Sequence, residues 1–146
     1  MQQEGKIRHI GLSSVNLDQI ISARKSVSIA SVQNLYNLAD RRDHEILEYC
    51  DREGIPFMPF FPLAMGKLGG GVGPLAEIAK RHSASSAQVA LAWLLARSPQ
   101  MVLIPGTSSV THLEENIAAV AVRLDTEEQQ SLEASGEIAA LPSFRV

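Results

Sequence analysis

Residues 5–37 read GKIRHIGLSSVNLDQIISARKSVSIASVQNLYN, and this stretch decides the fold class. An apolar run at 7–12 predicts a first strand, and apolar residues at helical spacing predict a helix over 17–25. The β-branched run at 29–33 predicts a second strand. A strand, a helix and a strand in this order are typical of a crossover unit, which joins parallel strands. The stretch therefore predicts an α/β protein with a parallel sheet.

The rest of the chain continues this alternation. Residues 40–53 predict a helix that Gly54 ends, 57–60 predict a third strand, and a glycine-rich loop between Gly66 and Gly73 follows. Two helices are predicted next, over 75–82 and over 86–97, and Ser85 caps the second. A fourth strand is predicted over 102–104. The helix after it is opened by Ser109 or by Thr111, which has capping-box spacing to Glu114, and Asp125 and Thr126 cap a final short helix. No repeat or linker interrupts the pattern, so we predict a single domain over 1–146 with four βα units.

Composition narrows the class of protein. Of the 146 residues, 45% are hydrophobic and 20% are charged, which is typical of a globular domain. The formal net charge of -3 and the absence of a basic stripe argue against nucleic acid as a partner. The single cysteine, Cys50, cannot form an internal disulfide, and the most apolar run, 89–96, is too short to cross a bilayer. We therefore expect a cytoplasmic protein with no metal site and no membrane partner.

Two folds are built from βα units of this kind, the open doubly wound sheet and the closed (β/α) barrel. The doubly wound fold carries the fingerprint G-x-G-x-x-G directly after its first strand. Here the first predicted strand ends in Leu12-Ser13-Ser14, with Gly11 as the nearest glycine, and the later glycine cluster at 69–73 lacks the required spacing. The dinucleotide fingerprint is thus absent, although the element pattern alone leaves both folds open.

Five motifs, taken in their order, resemble successive motifs of the aldo-keto reductases. They are residues 5–13 (GKIRHIGLS), 32–37 (VQNLYN), 60–63 (FFPL), 104–109 (IPGTSS) and 115–116 (EN). Each motif is weak by itself, but in this order and spacing they carry a resemblance that covers the chain from Gly5 to about Ser135. The resemblance implies strands five to eight of the family's eight-stranded barrel, which is a partial TIM barrel, or half barrel, of α/β class.

The resemblance also implies a chemistry. The family transfers a hydride between a nicotinamide cofactor, usually NADP(H) with NAD(H) as the other choice, and a small carbonyl or alcohol substrate. A tyrosine, assisted by lysine, aspartate and histidine, protonates the carbonyl oxygen, which requires an acid within about 3 Å of that oxygen. Those four residues belong to the first four strands and have no match in this chain, where Tyr36 matches a packing position. The resemblance therefore implies no catalytic residue here.

Cofactor-binding positions of the family do have matches in this chain. Ser13, Ser14 and Gln33 match positions that hold the nicotinamide carboxamide, and Phe60 matches the aromatic that stacks on the ring. The other matched positions are Leu63, Lys67, Gly106, Thr107, Ser108, Ser109, His112, Glu115 and Asn116. The resemblance assigns the loop 106–109, at a helix N-terminus, to the adenosine 2′-phosphate. It assigns Glu115 and Asn116 to the adenine. Without the resemblance, we would interpret Gln33 as a buried glutamine, Phe60 as a core aromatic and the loop 106–109 as an ordinary helix cap.

Two positions depart from the family pattern. Ser14 stands where many members carry an asparagine that contacts the carboxamide. His112 stands where several carry an arginine that faces the 2′-phosphate. Because histidine is mostly neutral at pH 7, this replacement weakens the expected preference for NADPH over NADH.

A half barrel has two unpaired strand edges and an uncovered inner face. We predict that this inner face includes apolar residues drawn from Ile10, Leu12, Val32, Met58 and Ile104. The isolated chain is then expected to form a homodimer through the exposed barrel edges, to pair with an N-terminal fragment, or to be marginally stable. Three functions remain open: an oxidoreductase that is active once an N-terminal half is supplied, a non-catalytic nucleotide-binding or assembly module, and a truncated remnant without ligand.

Overall fold

The computed structural model describes residues 1–64 and 73–135. Its sheet has three parallel strands in the order β1 (Ile10–Ser13), β2 (Ile29–Leu35) and β3 (Phe57–Phe60). Val32 at the centre of the sheet pairs with Leu12 on one side and with Phe57 on the other. The predicted α/β class with a parallel sheet is confirmed.

Helices connect and cover the strands. In the described part of the chain they are α1 (Leu17–Arg24), α2 (His44–Glu53), α3 (Pro74–Arg81), α4 (Ser86–Arg97), α5 (Val110–Ala118) and α6 (Thr126–Ser135). A 3-10 turn, Ala119–Ala121, follows α5. Gly54 ends α2 in the left-handed conformation, with φ 66°, as its predicted C-cap position requires. None of these helices is long and apolar enough to span a bilayer.

The fourth predicted strand, 102–104, is wrong. Instead, Phe57 forms one parallel bridge with Met101. The Phe57 N–H donates to the Gln100 carbonyl and the Val102 N–H donates to the Phe57 carbonyl, both at 2.9 Å. Pro105 follows closely and has no N–H to extend the pairing. The segment nevertheless lies beside β3, which is where a fourth parallel strand would begin.

One predicted helix start differs from the structure, and at α5 one of the two predicted starts is confirmed. The helix predicted from Asp40 begins at His44, because Asp40 forms an antiparallel bridge with Asn37. Of the two residues proposed to open α5, Ser109 is the N-cap and its side chain accepts from the His112 N–H at 3.4 Å. Thr111 lies inside the helix, so the capping box predicted for it is wrong. The predicted cap of α6 is confirmed at Asp125, whose carboxylate accepts from the Glu128 N–H at 2.8 Å.

The two faces of the sheet differ in chemistry. Val32 and Phe57 are fully buried in the hydrophobic core beneath the helices, and Ile10 and Leu12 pack against that core. The prediction that Ile10, Leu12 and Val32 face the barrel interior is therefore wrong. Because side chains alternate along a strand, the other face carries small and polar residues, including Gly11, Ser13, Ser31 and Gln33, together with Met58 and Phe60.

The helix α5 is much less integrated than its neighbour α4. Six consecutive residues of α4, from Val89 to Leu94, are buried, whereas α5 has no buried residue. Val110, Leu113 and Ile117 are 71%, 50% and 62% exposed, and their spacing places them on one side of α5. We call these three residues the α5 stripe.

Candidate functional site

The carboxyl ends of the strands gather one group of predicted residues. Ser13 and Gln33 are register partners, and Gln33 in turn pairs with Met58, two residues before Phe60. The alternation along the strands places Ser13, Gln33 and Phe60 on the same face of the sheet. Ser13 is exposed, and Gln33 and Phe60 are half-buried. A ligand lying across this edge can reach all three side chains.

A buried amide holds the loop that follows β1. Asn34, which is 2% exposed, donates from Nδ2 to the Val15 carbonyl at 2.7 Å and accepts at Oδ1 from the Val15 N–H at 3.1 Å. The same Nδ2 lies 2.9 Å from the Asp43 carboxylate. Ser14, immediately before Val15, has the left-handed φ of 56°, and its N–H donates to the Gln33 carbonyl at 2.9 Å. The backbone next to the strand end is thus fixed from two sides.

A cleft of about 880 Å³ opens between the end of β3, the start of α4 and the α5 region. The described residues that line it are 60–63, 85–87 and 104–107, with His112, Glu115 and Asn116. Its volume falls within the range of small-molecule sites, roughly 300–1,000 Å³. Its lining combines aromatic and aliphatic side chains with hydroxyl, imidazole, carboxylate and amide groups, so the cleft can accept a planar ring together with polar groups.

The start of α5 provides the polar side of the cleft. The Ser109 side chain caps the helix through the His112 N–H, and Thr107 Oγ1 accepts from the Ser109 N–H at 3.1 Å. The first N–H groups of an α-helix have no acceptor within the helix, and the helix dipole favours an anion near them. His112 and Glu115 are three residues apart and both line the cleft. An anion and a hydrogen-bonding ring can therefore be held side by side.

The opposite side of the cleft comes from residues that the sequence did not suggest. Ser85, predicted only as a helix cap, lines the cleft together with Ser86 and Ala87 at the start of α4, and Phe61 and Ile104 complete the apolar part. Small and aliphatic residues carry no chemical signal of a site. Their role depends on the tertiary contact that brings α4 beside the α5 region, which no local pattern reveals.

The predicted cofactor residues fall into several groups in the structure. Those that line the cleft are Phe60, Leu63, Gly106, Thr107, His112, Glu115 and Asn116. Those at the ends of β1 and β2, outside the described lining, are Ser13, Ser14 and Gln33. Ser108 is exposed and Ser109 is the N-cap of α5, and neither belongs to the described lining. Lys67, like the glycine-rich loop apart from Gly73, lies outside the described residues.

Other titratable side chains have structural surroundings. Tyr36 is fully buried, stacks on Trp93 with ring centroids 6.1 Å apart, and places its hydroxyl 3.3 Å from His44 Nδ1. Burial is the main cause that raises the pKa of Tyr36 above its ordinary value. His82 lies 2.9 Å from the buried carboxylate of Glu128. Among residues 1–64 and 73–135, no group of His, Cys, Asp and Glu is arranged to hold a metal ion.

Comparison with known proteins gives a consistent family. Residues 1–137 match the sequence pattern of the aldo/keto reductase family. The pyridoxine 4-dehydrogenase of Escherichia coli is 46% identical over 138 residues, which are 91% of this chain and 46% of that protein. A thermostable aldo-keto reductase solved with the inhibitor epalrestat matches with a TM-score of 0.85 at 34% identity, over 92% of this chain and 51% of the other.

A solved structure with a cofactor shows the same likeness. An aldo-keto reductase from Klebsiella pneumoniae in complex with NADPH matches with a TM-score of 0.83 at 29% identity, over 99% of this chain and 53% of the other. The chain spans about half the length of the relatives that it matches.

Proposed function

The chain belongs to the aldo/keto reductase family of oxidoreductases, and we propose that it is the cofactor-binding half of a (β/α) barrel that interconverts carbonyl compounds and alcohols with NADP(H). The observation that carries this proposal is the cleft between β3, α4 and α5, which contains most of the predicted adenosine-binding residues. It lies at the carboxyl end of β3, and (β/α) barrels have their active sites at the carboxyl ends of their strands. When bound, the nicotinamide would supply or accept the hydride.

The donor set of the cleft fits the adenosine part of such a cofactor. Thr107, His112 and the start of α5 offer a hydroxyl, an imidazole and helical N–H groups for a phosphate. Glu115 and Asn116 offer a carboxylate and an amide, which can accept from and donate to the edge of an adenine. We therefore assign the 2′-phosphate to the first group and the adenine to the second.

The strand ends fit the nicotinamide part. The Gln33 side chain has both a donor and an acceptor, which is what a carboxamide requires, and Ser13 adds a hydroxyl beside it. Phe60 presents a half-buried aromatic ring on the same face of the sheet. We propose that these three residues orient the nicotinamide, so that one of its faces is directed toward the substrate.

Proton transfer to the carbonyl oxygen needs a further group. In the proposal, this acid comes from the part of the family's barrel that has no counterpart in this chain. Tyr36 cannot serve, since it is fully buried against Trp93. The small, polar face of the sheet and the α5 stripe are the surfaces on which the complementary half would pack, and a second copy of the chain is the competing occupant.

The first test is cofactor binding by the chain itself. Titration with NADPH and with NADH, followed by cofactor fluorescence, should give saturable binding with NADPH the tighter ligand. Glu115→Ala should weaken NADPH binding about tenfold, because a charged hydrogen-bonding group contributes roughly 1.5–3 kcal/mol. Glu114→Ala is the matched control, since Glu114 is the adjacent exposed glutamate and lies outside the described lining. No saturable binding of either cofactor contradicts the proposal.

The second test is complementation. The part of the E. coli pyridoxine 4-dehydrogenase that has no counterpart in this chain is added, and oxidation of NADPH is measured with a set of small aldehydes. Turnover that requires both polypeptides supports the oxidoreductase. Cofactor binding with no turnover in a complex shown to be 1:1 by light scattering favours a non-catalytic nucleotide-binding module instead.

A further inference from the structure

Gln88 makes hydrogen bonds in two directions. Its Oε1 accepts from the Ser85 N–H at 2.8 Å, while its own backbone N–H donates to Ser85 Oγ at 3.2 Å. These two bonds form a capping box at the start of α4. Its Nε2 donates to the backbone carbonyl of Glu115, on α5, at 3.1 Å. One side-chain amide therefore joins the two helices that face each other across the cleft.

This link is important because α5 packs beside α4 without burying any residue of its own. The helix has no buried residue, and its apolar side chains are exposed in the α5 stripe. Among the described residues, the Gln88–Glu115 bond is the one side-chain hydrogen bond between α4 and α5. The nearest buried anchor is Ala119, which is 1% exposed and lies in the 3-10 turn beyond the end of α5.

The bond meets α5 at the residue that lines the cleft. Glu115 lies on the α5 side, and Ser86 and Ala87, two residues and one residue before Gln88, lie on the α4 side. Gln88 itself is not part of the described lining. The bond thus joins the two sides through a residue that does not line the space between them.

We propose that Gln88 is a positioning residue that fixes the width of the cleft for the adenosine part of the cofactor, an inference that rests on the proposed function. It acts through the backbone of Glu115 and not by contact with the ligand. Loss of its Nε2 donor leaves α5 free to shift away from α4, which separates the groups that would hold the adenine from the opposite side.

One substitution separates this role from helix capping. Gln88→Glu keeps the acceptor for the Ser85 N–H, and glutamate is itself a preferred residue at this position of a capping box. Its charge is also favourable at a helix N-terminus. At neutral pH, however, a carboxylate cannot donate to the Glu115 carbonyl. The variant thus retains the cap and loses the link.

The chain offers a matched control on α6. Gln129 Nε2 donates to the Leu124 carbonyl at 3.1 Å, so Gln129→Glu removes the same kind of bond with the same change of charge, away from the cleft. Both variants and the wild type are compared by hydrogen exchange of residues 105–118 without ligand. Their affinities for adenosine 2′,5′-bisphosphate and for nicotinamide mononucleotide are measured by calorimetry.

Gln88→Glu should speed amide exchange in α5 and weaken adenosine 2′,5′-bisphosphate binding about fivefold, in line with one lost hydrogen bond. Binding of nicotinamide mononucleotide and the exchange of α4 should not change, and Gln129→Glu should resemble the wild type in α5. Wild-type exchange and affinity in Gln88→Glu would overturn the inference. If the wild type binds neither nucleotide, the proposed function fails, whereas the exchange data still decide whether Gln88 holds α5.

Discussion

The two ends of the candidate site are supported in opposite ways. At the ends of β1 and β2, Asn34 is buried and hydrogen-bonded to the loop after β1 and to Asp43 at the start of α2. At the other end, α5 presents its polar residues to the cleft from a helix with no buried residue. In the proposed function, the reactive ring thus meets a rigid surface and the adenosine meets an adjustable one.

This contrast has a physical rationale. Hydride transfer depends on the orientation of the reacting groups, so small displacements at the nicotinamide end are costly. The adenosine part contributes binding only, and a helix with few buried contacts can open locally at a small free-energy cost. We expect amides of β2 to exchange only with global unfolding and amides of α5 to exchange much earlier.

The largest effect is expected from Asn34→Leu. The change removes the partner of both the N–H and the carbonyl of Val15 within a buried region and should reduce the free energy of unfolding by about 3 kcal/mol. Denaturation by urea measures it. Asn116→Leu is the matched control on α5 and should change stability by less than about 0.5 kcal/mol while weakening NADPH binding. Similar losses of stability in the two variants would show that the two ends of the candidate site are supported to the same extent.

A second prediction concerns high pH and the core beneath β2. Burial raises the pKa of Cys50 to about 11 from 9.0, and it raises the pKa of Tyr36 as well. The folded chain therefore favours the protonated thiol, so the contribution is complete below pH 9 and is lost as pH rises toward 11. At about 1.4 kcal/mol per pKa unit over a shift of roughly two units, the loss should be ~2 kcal/mol at pH 10.5.

Urea unfolding of the wild type and of Cys50→Val at pH 8 and pH 10.5 measures this dependence. The variant should retain only the weaker dependence due to Tyr36. An equally steep loss of stability in both proteins would show that Cys50 is not its source.

A third prediction concerns the adjustable end. His112→Arg places a permanently charged, planar donor group where the 2′-phosphate is proposed to bind, and it should tighten NADPH binding about tenfold with little change for NADH. His9→Arg is the matched control, because His9 is exposed and lies near the start of β1, so the net charge changes equally away from the cleft. An equal gain from both variants would indicate a nonspecific charge effect.

The smallest effect is expected at Ser14. Its left-handed φ of 56° is unfavourable for a residue with a Cβ, so Ser14→Gly should raise thermal stability by no more than about 1 kcal/mol. Ser13→Gly, in the extended strand beside it, should instead lower stability by a similar amount. A loss of stability in both variants would show that the left-handed conformation of Ser14 is not strained.

Much of the fold followed from local patterns in the sequence. The bounds of β3 and of α4 agree with their apolar runs, and the Ser85 and Asp125 caps occupy the predicted positions. The prediction of a fourth strand over 102–104 was wrong because this part of the chain pairs with β3 only around Met101. The predicted orientation of Ile10, Leu12 and Val32 was wrong because the side chains of a short apolar strand are divided between the two faces of the sheet. The sequence pattern does not show which of these two faces the helices cover.

The candidate site was predictable only where the resemblance supplied residues. One cleft is lined by residues 106–107, His112, Glu115 and Asn116. Periodicity alone would have assigned these residues to a helix cap and an exposed helix. Ser86 and Ala87 carry no local signal, and the role of Asn34 and Gln88 depends on partners distant in sequence. Such contacts arise from tertiary packing, which a single sequence does not display.

The bridge between Phe57 and Met101 has a consequence for how the chain folds. It joins segments between which α3 and α4 lie, so its formation requires closure of a long loop and contributes little until α3 and α4 have docked. The segment that follows Met101 forms one side of the cleft. We therefore expect the ligand-binding surface to be acquired late on the refolding pathway, after β1, β2 and the helix between them have assembled.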